Sequence, residues 1–242
     1  MSLPVGQWPA PYQTRLDELA ELVARVASPH RPFRVLEAGA GAKSNFAFPE
    51  PHEITGIDVS TGQLEHNERL THVIVGDIQT YRFAPEFDLV VCWNVLEHVP
   101  DPAAAIDHLI DALAPEGLLV IASPNLWSLK GLVTRFTPHP VHVWFHRRVM
   151  GRAHAGHDHV GPFRTFLRRA MTPDALTEHA RRRGLRVVHV EAFEGSQLNR
   201  LRERYGATGT AFSLMSRASR VATRGAADLT HSDYIAVFQR GS

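Results

Sequence analysis

Three acidic side chains stand where apolar segments end, at positions that could bind a polar small molecule. Glu37 closes the segment FRVLEAG and is followed by Gly39 and Gly41, while Asp58 and Asp77 close HEITGIDVS and HVIVGDI. Carboxylates accept hydrogen bonds from hydroxyl and amine groups. Glycine has no Cβ atom and lets a ligand approach the backbone closely. The pattern predicts a ligand with hydroxyl and amine groups that lies against the glycine turn.

Phosphate-binding glycine motifs fit this turn only in part. A dinucleotide fingerprint needs a third glycine or alanine, and this sequence has Ser44 there, beside Lys43. The phosphate loop also fails, because no second glycine directly precedes Lys43. No tyrosine is followed by lysine four residues later. A nicotinamide-dependent dehydrogenase is therefore a minor alternative.

The elements that must position these residues alternate between strand and helix patterns. Helices are predicted at 14–27 and 102–113, and strands at 33–39, 52–60, 72–78, 87–94 and 117–125. The apolar runs do not alternate with polar residues, as is typical of parallel strands covered on both faces. The order of elements predicts a doubly wound α/β fold.

The second half of the chain adds two strands and two insertions. A helix is predicted between Thr172 as N-cap and Gly184 as its end, followed by strands at 185–195 and 232–240. Polar and apolar residues alternate sufficiently along the last strand to predict that it is antiparallel. Segment 126–172 shows no regular pattern before this helix, and 197–225 should be helical. We therefore predict one domain, 1–242, whose seven-stranded, mostly parallel sheet has an antiparallel last strand and helical cap insertions at 126–172 and 196–231.

Taken together, these segments resemble the class I S-adenosylmethionine-dependent methyltransferases of the small-molecule type. LEAGAG matches the first motif of that family, GIDVS its acidic second-strand motif and VGDI its third-strand motif. FDLVVCWNVLEHVPDP and LAPEGLLVIASPN match the fourth and fifth. The resemblance covers 34–125 closely and 173–195 and 232–240 loosely. It implies S-adenosylmethionine as the cofactor.

The resemblance also implies which residues bind that cofactor. Asp58 would accept both ribose hydroxyl groups and Asp77 the adenine amine, while the glycine turn would lie against the methionyl part. Trp93 and Asn94 should line the cofactor or the acceptor pocket. The predicted cofactor-binding residues are Glu37, Gly39, Gly41, Asp58, Val59, Asp77, Ile78, Trp93 and Asn94.

Two features depart from the family pattern. Lys43 replaces the usual third glycine and could hold the methionyl carboxylate, although a solvated lysine explains it equally well. Pro49 and Pro51 stand where the first helix should continue, and proline breaks a helix interior. The helix after the first motif should therefore be short or absent.

Histidines are the candidate bases for a hydroxyl acceptor, which must lose its proton during methyl transfer. The spacing in HPVHVWFH could place His139, His142 and His146 on one helical face, and His142 and His146 have apolar neighbours. His98, in LEH after the fourth strand, is a further candidate. The HAGHDH segment at 154–159 could bind a metal, but a hydrated loop explains it better, so no metal is predicted.

The acceptor is expected to be a small molecule. NVLE stands in place of the N-P-P-Y or D-P-P-Y pattern of enzymes that methylate planar nitrogens, and a pI of about 8.1 is modest for a nucleic-acid enzyme. Residues 1–144 carry 9 basic against 17 acidic side chains, and residues 145–242 carry 17 against 8. The excess of arginine in the second part reflects either base composition or an acidic acceptor.

These observations predict an O-methyltransferase of specialised metabolism. The alternative is a protein of methyltransferase fold that binds the cofactor but catalyses a non-methylating reaction or only binds. A single cysteine, Cys92, excludes an internal disulfide. No apolar run is long enough to span a membrane, and the first residues do not resemble a signal peptide, so a cytoplasmic enzyme is expected.

Overall fold

The computed structural model describes residues 10–25, 32–44, 48, 50–148, 163–195, 209–222 and 228–242. Seven strands form one sheet. They are β1 Phe33–Ala38, β2 His52–Asp58, β3 His72–Val75, β4 Phe87–Trp93, β5 Leu113–Pro124, β6 Arg186–Phe193 and β7 Asp233–Gln239.

The strand order across the sheet is β3-β2-β1-β4-β5-β7-β6. Strands β1 to β5 pair in parallel, and β7 lies antiparallel between β5 and β6. The predicted seven-stranded, mostly parallel sheet with an antiparallel last strand is confirmed. The chain leaves β1 towards β2 and later returns to β4 on the other side of β1. In open α/β sheets a crevice forms at such a reversal, outside the carboxyl ends of the strands.

Helices cover the sheet and extend from it. They are α1 Ala10–Ala24, α2 Thr61–Leu64, α3 Pro102–Asp111, α4 Leu129–Phe136, α5 His139–Arg148, α6 Pro173–Arg182 and α7 Gly209–Ala222.

Local sequence signals account for the ends of several helices. The Thr172 side chain accepts a hydrogen bond from the Ala175 N–H at 3.4 Å, and Gly184 adopts a φ of +78° after α6, as the sequence predicted. The expectation that 126–172 is irregular before that helix is wrong for its first part, which holds α4 and α5. Ser128 caps α4 by accepting from the Gly131 N–H at 2.9 Å.

Alternate residues of the central strands face two different hydrophobic clusters. In β1 and β4, Leu36 and Val90 pack on the side of α3, whereas Val35 and Leu89 pack on the side of α1. Successive side chains of a strand point to opposite faces. Glu37 and Trp93 share the parity of Val35 and Leu89, so this alternation directs them to the α1 side.

Candidate functional site

A cavity of about 860 Å³ opens at the carboxyl ends of β1, β2 and β4. Its size lies within the range of small-molecule sites. Polar and apolar residues from five separate segments of the chain line it. The lining residues are Gly39, Gly41, Ile57, Asp58, Val59, Ser60, Gln63, Gly76, Asp77, Ile78, Gln79, Asn94, Val95, His98, Val99, Pro100, Phe163, Arg164 and Phe166.

The Asp58 carboxylate is oriented by two backbone N–H groups. Oδ1 accepts from the Ser60 N–H at 2.9 Å, and Oδ2 accepts from the Gly41 N–H at 3.1 Å. The Ser60 contact is an Asx turn, in which an aspartate accepts from the residue two positions ahead. Each carboxylate oxygen has more than one lone pair. The cavity therefore receives a fixed acceptor that can still bind hydroxyl groups.

Asp77 uses the same turn with a second contact added. Its Oδ1 accepts from the Gln79 N–H at 2.9 Å, and the Gln79 side-chain amide donates to Oδ1 at 3.0 Å and Oδ2 at 2.8 Å. The amide oxygen of Gln79 accepts from the Asp101 N–H at 2.8 Å. Asp77 lies two residues beyond the end of β3, not at its last residue as predicted, and Gln79 fixes its orientation there.

The glycine turn lies tightly against the chain that leaves β4. Gly39 has a φ of +69°, and a Cβ atom on it would come within 2.8 Å of the Val95 Cγ1 atom. Gly41 has a φ of +53°, and a Cβ there would lie 3.1 Å from the Gln63 Oε1 atom. Side chains are disfavoured at such angles. Both positions therefore favour glycine, because of their backbone angles and the close packing of Val95 and Gln63.

Asn94 also adopts a left-handed backbone, with a φ of 56°. Its N–H donates to the Ala122 carbonyl at 2.8 Å, which continues the pairing of β4 with β5. Asparagine tolerates this conformation better than most residues. The turn redirects the chain from β4 across the cavity mouth towards His98.

His98 lies between the cavity and an extended segment, residues 163–166. Its Nδ1 atom donates to the Arg164 carbonyl at 2.9 Å, since a carbonyl can only accept. The Phe166 N–H donates to the Glu97 carbonyl at 2.7 Å, and the Phe163 ring stands edge-on to the imidazole with centroids 5.7 Å apart. Burial lowers the pKa of His98, which favours the neutral ring.

A second, small cavity of about 30 Å³ lies behind the glycine turn, on the α1 side. Glu37, Lys43 and Trp93 line it, and Gly39 lines both cavities. Glu37 is buried and accepts a hydrogen bond from the Ser44 hydroxyl. Burial raises the pKa of Glu37, while the Ser44 contact and the charge of Arg69 lower it less.

Comparison with known proteins shows the family of the chain. A family profile described as a methyltransferase domain matches residues 12–190 of the chain. The chain belongs to this methyltransferase family. The family and its methyl donor, S-adenosylmethionine, agree with what the sequence predicted.

One group of similar sequences carries the name ubiquinone biosynthesis O-methyltransferase. The protein from Psychrobacter cryohalolentis is 35% identical over 106 residues, which cover 38% of this chain and 41% of that protein. The protein from Alkalilimnicola ehrlichii is 34% identical over 82 residues, covering 30% of this chain and 33% of that protein. The chain thus spans less than half the length of these relatives.

Solved structures with this fold include a putative sarcosine dimethylglycine methyltransferase from Galdieria sulphuraria. It is 14% identical, with a TM-score of 0.54 over 98% of this chain and 93% of that one. The [4+2]-cyclase SpnF is 17% identical, with a TM-score of 0.52 over 99% of this chain and 87% of that one. At these identities the likeness shows the fold alone.

Most of the residues predicted to bind the cofactor meet around the large cavity of this methyltransferase. They are Gly39, Gly41, Asp58, Val59, Asp77, Ile78 and Asn94. Glu37 and Trp93 are not among the lining residues and face the small cavity instead, because strand alternation turns them to the α1 side.

The predicted bases are separated by the structure. His98 lines the cavity, whereas His142, half-buried on α5, is not among the described residues that do so. The segment HPVHVWFH, whose spacing could place its histidines on one helical face, forms α5, but the side chain of His146 lies outside the described residues, as does the HAGHDH segment. Within the described residues, no group of histidine, cysteine and acidic side chains could hold a metal ion.

Sequence reasoning missed Gln79, Ser60 and the segment 163–166. The first two stand two positions after Asp77 and Asp58, where an Asx turn would have indicated them. No local sequence pattern indicates that residues 163–166 pack on residues 97 and 98. The described helices include none that is long and apolar enough to cross a membrane.

Proposed function

We propose that this chain transfers a methyl group from S-adenosylmethionine to a hydroxyl group of a small molecule. The observation that carries the proposal is the large cavity, in which two oriented carboxylates and a glycine turn share one space with a neutral histidine. The names of the sequence relatives, which are O-methyltransferases, support oxygen as the acceptor atom.

The residues present fit the cofactor. Asp58 would accept the ribose hydroxyls and Asp77 the adenine amine, with Val59 and Ile78 lining the same space. Gly39 and Gly41 line this space without a side chain of their own, so the methionyl part could lie against their backbone. When bound, the cofactor supplies an electrophilic methyl group on a sulfonium.

The small cavity extends this site behind the turn. Glu37 carries a buried carboxylate that would attract the methionyl ammonium, and Lys43 would attract the methionyl carboxylate. Trp93 would support the turn from the α1 side, and Asn94 lines the large cavity at the mouth. These roles remain proposals for each residue.

His98 is the base that the geometry favours. Because its Nδ1 atom donates to the Arg164 carbonyl, its neutral ring carries the lone pair on Nε2. A neutral imidazole can accept a proton from an acceptor hydroxyl near pH 7. His142 and His146, on α5, remain the alternatives.

Segments 126–172 and 196–231 would act as a cap of the single domain. The Leu129 N–H donates to the Leu229 carbonyl at 2.8 Å, which joins the two segments, and residues 163–166 line the cavity. The excess of basic residues after position 144 supports an acidic acceptor of specialised metabolism. A cytoplasmic location, and an acceptor other than nucleic acid, belong to the same proposal.

A non-methylating reaction is the second candidate, because the fold occurs in a protein named a cyclase. Turnover of the cofactor separates the two. The test incubates the protein with S-adenosylmethionine and a panel of phenols and catechols, and measures S-adenosylhomocysteine together with a mass gain of one CH₂ on the acceptor. Both products support methyl transfer, and conversion of an acceptor without S-adenosylhomocysteine would support the alternative.

The base is tested in the same assay with three single variants. His98→Gln should lower the rate by ~10²-fold, whereas His142→Gln and His146→Gln should change it little. Cofactor affinity should stay unchanged in all three. A large loss in either α5 variant, with none in His98→Gln, would transfer the role to that helix.

A further inference from the structure

The cavity has an acidic side and a basic side. Asp58 is the last residue of β2 and Asp77 follows β3, whereas His98 and the segment that carries Arg164 lie beyond β4. Strand β1 separates β2 from β4, and neighbouring strands are about 4.8 Å apart, which places the ends of β2 and β4 about 10 Å apart. The acids would bind the cofactor, which leaves the side of His98 for the acceptor.

The backbone that carries Arg164 is fixed on both sides. The Arg164 carbonyl accepts from His98 at 2.9 Å, and the N–H of Phe166, two residues later, donates to the Glu97 carbonyl at 2.7 Å. Leu167 is buried in the core next to them. Arg164 therefore extends from an anchored segment at the cavity edge.

The Arg164 side chain is exposed, and its guanidinium lies over the Phe166 ring, 5.1 Å from the centroid. Within the part of the chain that the structure describes, it forms no ion pair with a carboxylate. A guanidinium that stacks on a ring still presents its N–H edge, which matches the two oxygens of a carboxylate. Stacking also reduces the side-chain freedom that binding would otherwise remove.

An aromatic surface lies beside this cation. The Phe163 ring is 46% exposed and contacts the His98 imidazole edge-on. Aromatic rings pack well against one another in offset or edge-on geometry. A planar ring that packs on the exposed part of the Phe163 ring would have one substituent near His98 and another near Arg164.

We propose that Arg164 selects the acceptor by binding its carboxylate, and that the acceptor is a hydroxy-substituted aromatic acid. The proposal rests on the methyl-transfer function above and identifies its substrate class. Arg164 is a specificity-determining residue in this account, and it takes no part in binding the cofactor.

The test measures binding without turnover. Protein saturated with S-adenosylhomocysteine is titrated by calorimetry with protocatechuate and, separately, with its neutral amide, which has the same ring and hydroxyl groups. The wild-type protein should bind the acid about tenfold more tightly or better, as expected for a charge-assisted contact. Arg164→Gln should remove this preference, and Arg164→Lys should keep part of it, because lysine retains the charge but not the planar fork.

Arg168→Gln is the matched control. Arg168 is exposed, is four residues away and is not among the described residues that line the cavity, so this variant removes the same charge outside the site. It should keep the preference for the acid. Equal binding of acid and amide by wild-type protein, no binding of either, or an unchanged preference in Arg164→Gln would overturn the proposal.

Affinity for S-adenosylhomocysteine separates this proposal from the proposed function. Arg164→Gln should leave that affinity unchanged, and a tenfold loss would assign Arg164 to the cofactor, which contradicts the proposal. Wild-type protein that does not bind S-adenosylhomocysteine would instead refute the proposed function.

Discussion

Replacing Gly39 with alanine should destabilise the protein and weaken cofactor binding together. The new Cβ would lie within 2.8 Å of the Val95 Cγ1 atom and nearer still to Cγ2, well inside the ordinary carbon contact distance of about 3.5–4.0 Å. Rotation of Val95 gives little relief, because both methyl groups are close. Overpacking of this kind costs about 1–3 kcal/mol, and the left-handed backbone adds about 1–2 kcal/mol for any non-glycine residue.

The expected loss in the free energy of unfolding is therefore about 2–5 kcal/mol, measured by chemical denaturation. Gly184→Ala is the matched control, because Gly184 has a φ of +78° but a Cβ atom there would have nothing within 4 Å. Gly184→Ala should lower the free energy of unfolding only by the cost of the left-handed backbone, about 1–2 kcal/mol. It should leave cofactor affinity unchanged. If Gly39→Ala were no more destabilising than Gly184→Ala, the close packing against Val95 would not shape the turn.

The site and its cap lead to three further expected outcomes. Glu37→Gln should raise the stability of the free protein above pH ~4.5, measured by thermal unfolding, because burial raises the folded pKa of Glu37 and ionisation of this carboxyl then opposes folding. The same variant should bind S-adenosylmethionine more weakly in calorimetry. The value of kcat/KM should stay constant as the pH is lowered to about 6.5 and should fall only below it, because burial lowers the pKa of His98 and the imidazole stops acting as a base only when it is protonated. A fall that begins above pH ~7 would exclude a buried histidine as the base. Cleavage by protease within 126–172 and 196–231 should be slower with S-adenosylhomocysteine than without it, and equal rates would contradict a cap that closes over the site.

Local patterns were sufficient to predict the sheet and most of the candidate residues that line the large cavity. The strand ends at Asp58 and Gly39 follow directly from apolar runs that stop at turn-forming residues, and the N-cap Thr172 marks α6. Such signals depend on neighbours within a few residues, so one sequence is enough to detect them.

The positions that were not predicted depend on contacts between distant parts of the chain. Glu37 and Trp93 occupy strand ends as expected, but the face they occupy depends on which positions of each strand α1 covers. Phe166 pairs with Glu97 across 69 residues of sequence, and no periodic pattern indicates this contact. The contact of His98 with the Arg164 carbonyl, which supports the proposal of His98 as the base, also joins residues that are 66 positions apart.

The central claim is that the large cavity binds S-adenosylmethionine. Calorimetric titration of the wild-type protein and of Asp58→Asn with S-adenosylmethionine tests it most directly. Asparagine keeps the size of the side chain and an oxygen that can accept from the Ser60 N–H, whereas its amide nitrogen cannot accept from the Gly41 N–H. It removes the charge, and charge-assisted hydrogen bonds exceed neutral ones by roughly 1–2 kcal/mol each. We predict binding by the wild-type protein and a dissociation constant at least about tenfold higher in the variant, with a cooperative unfolding curve that shows the variant to be folded. No binding by the wild-type protein, or the same dissociation constant in both, would contradict the assignment of this cavity to the cofactor.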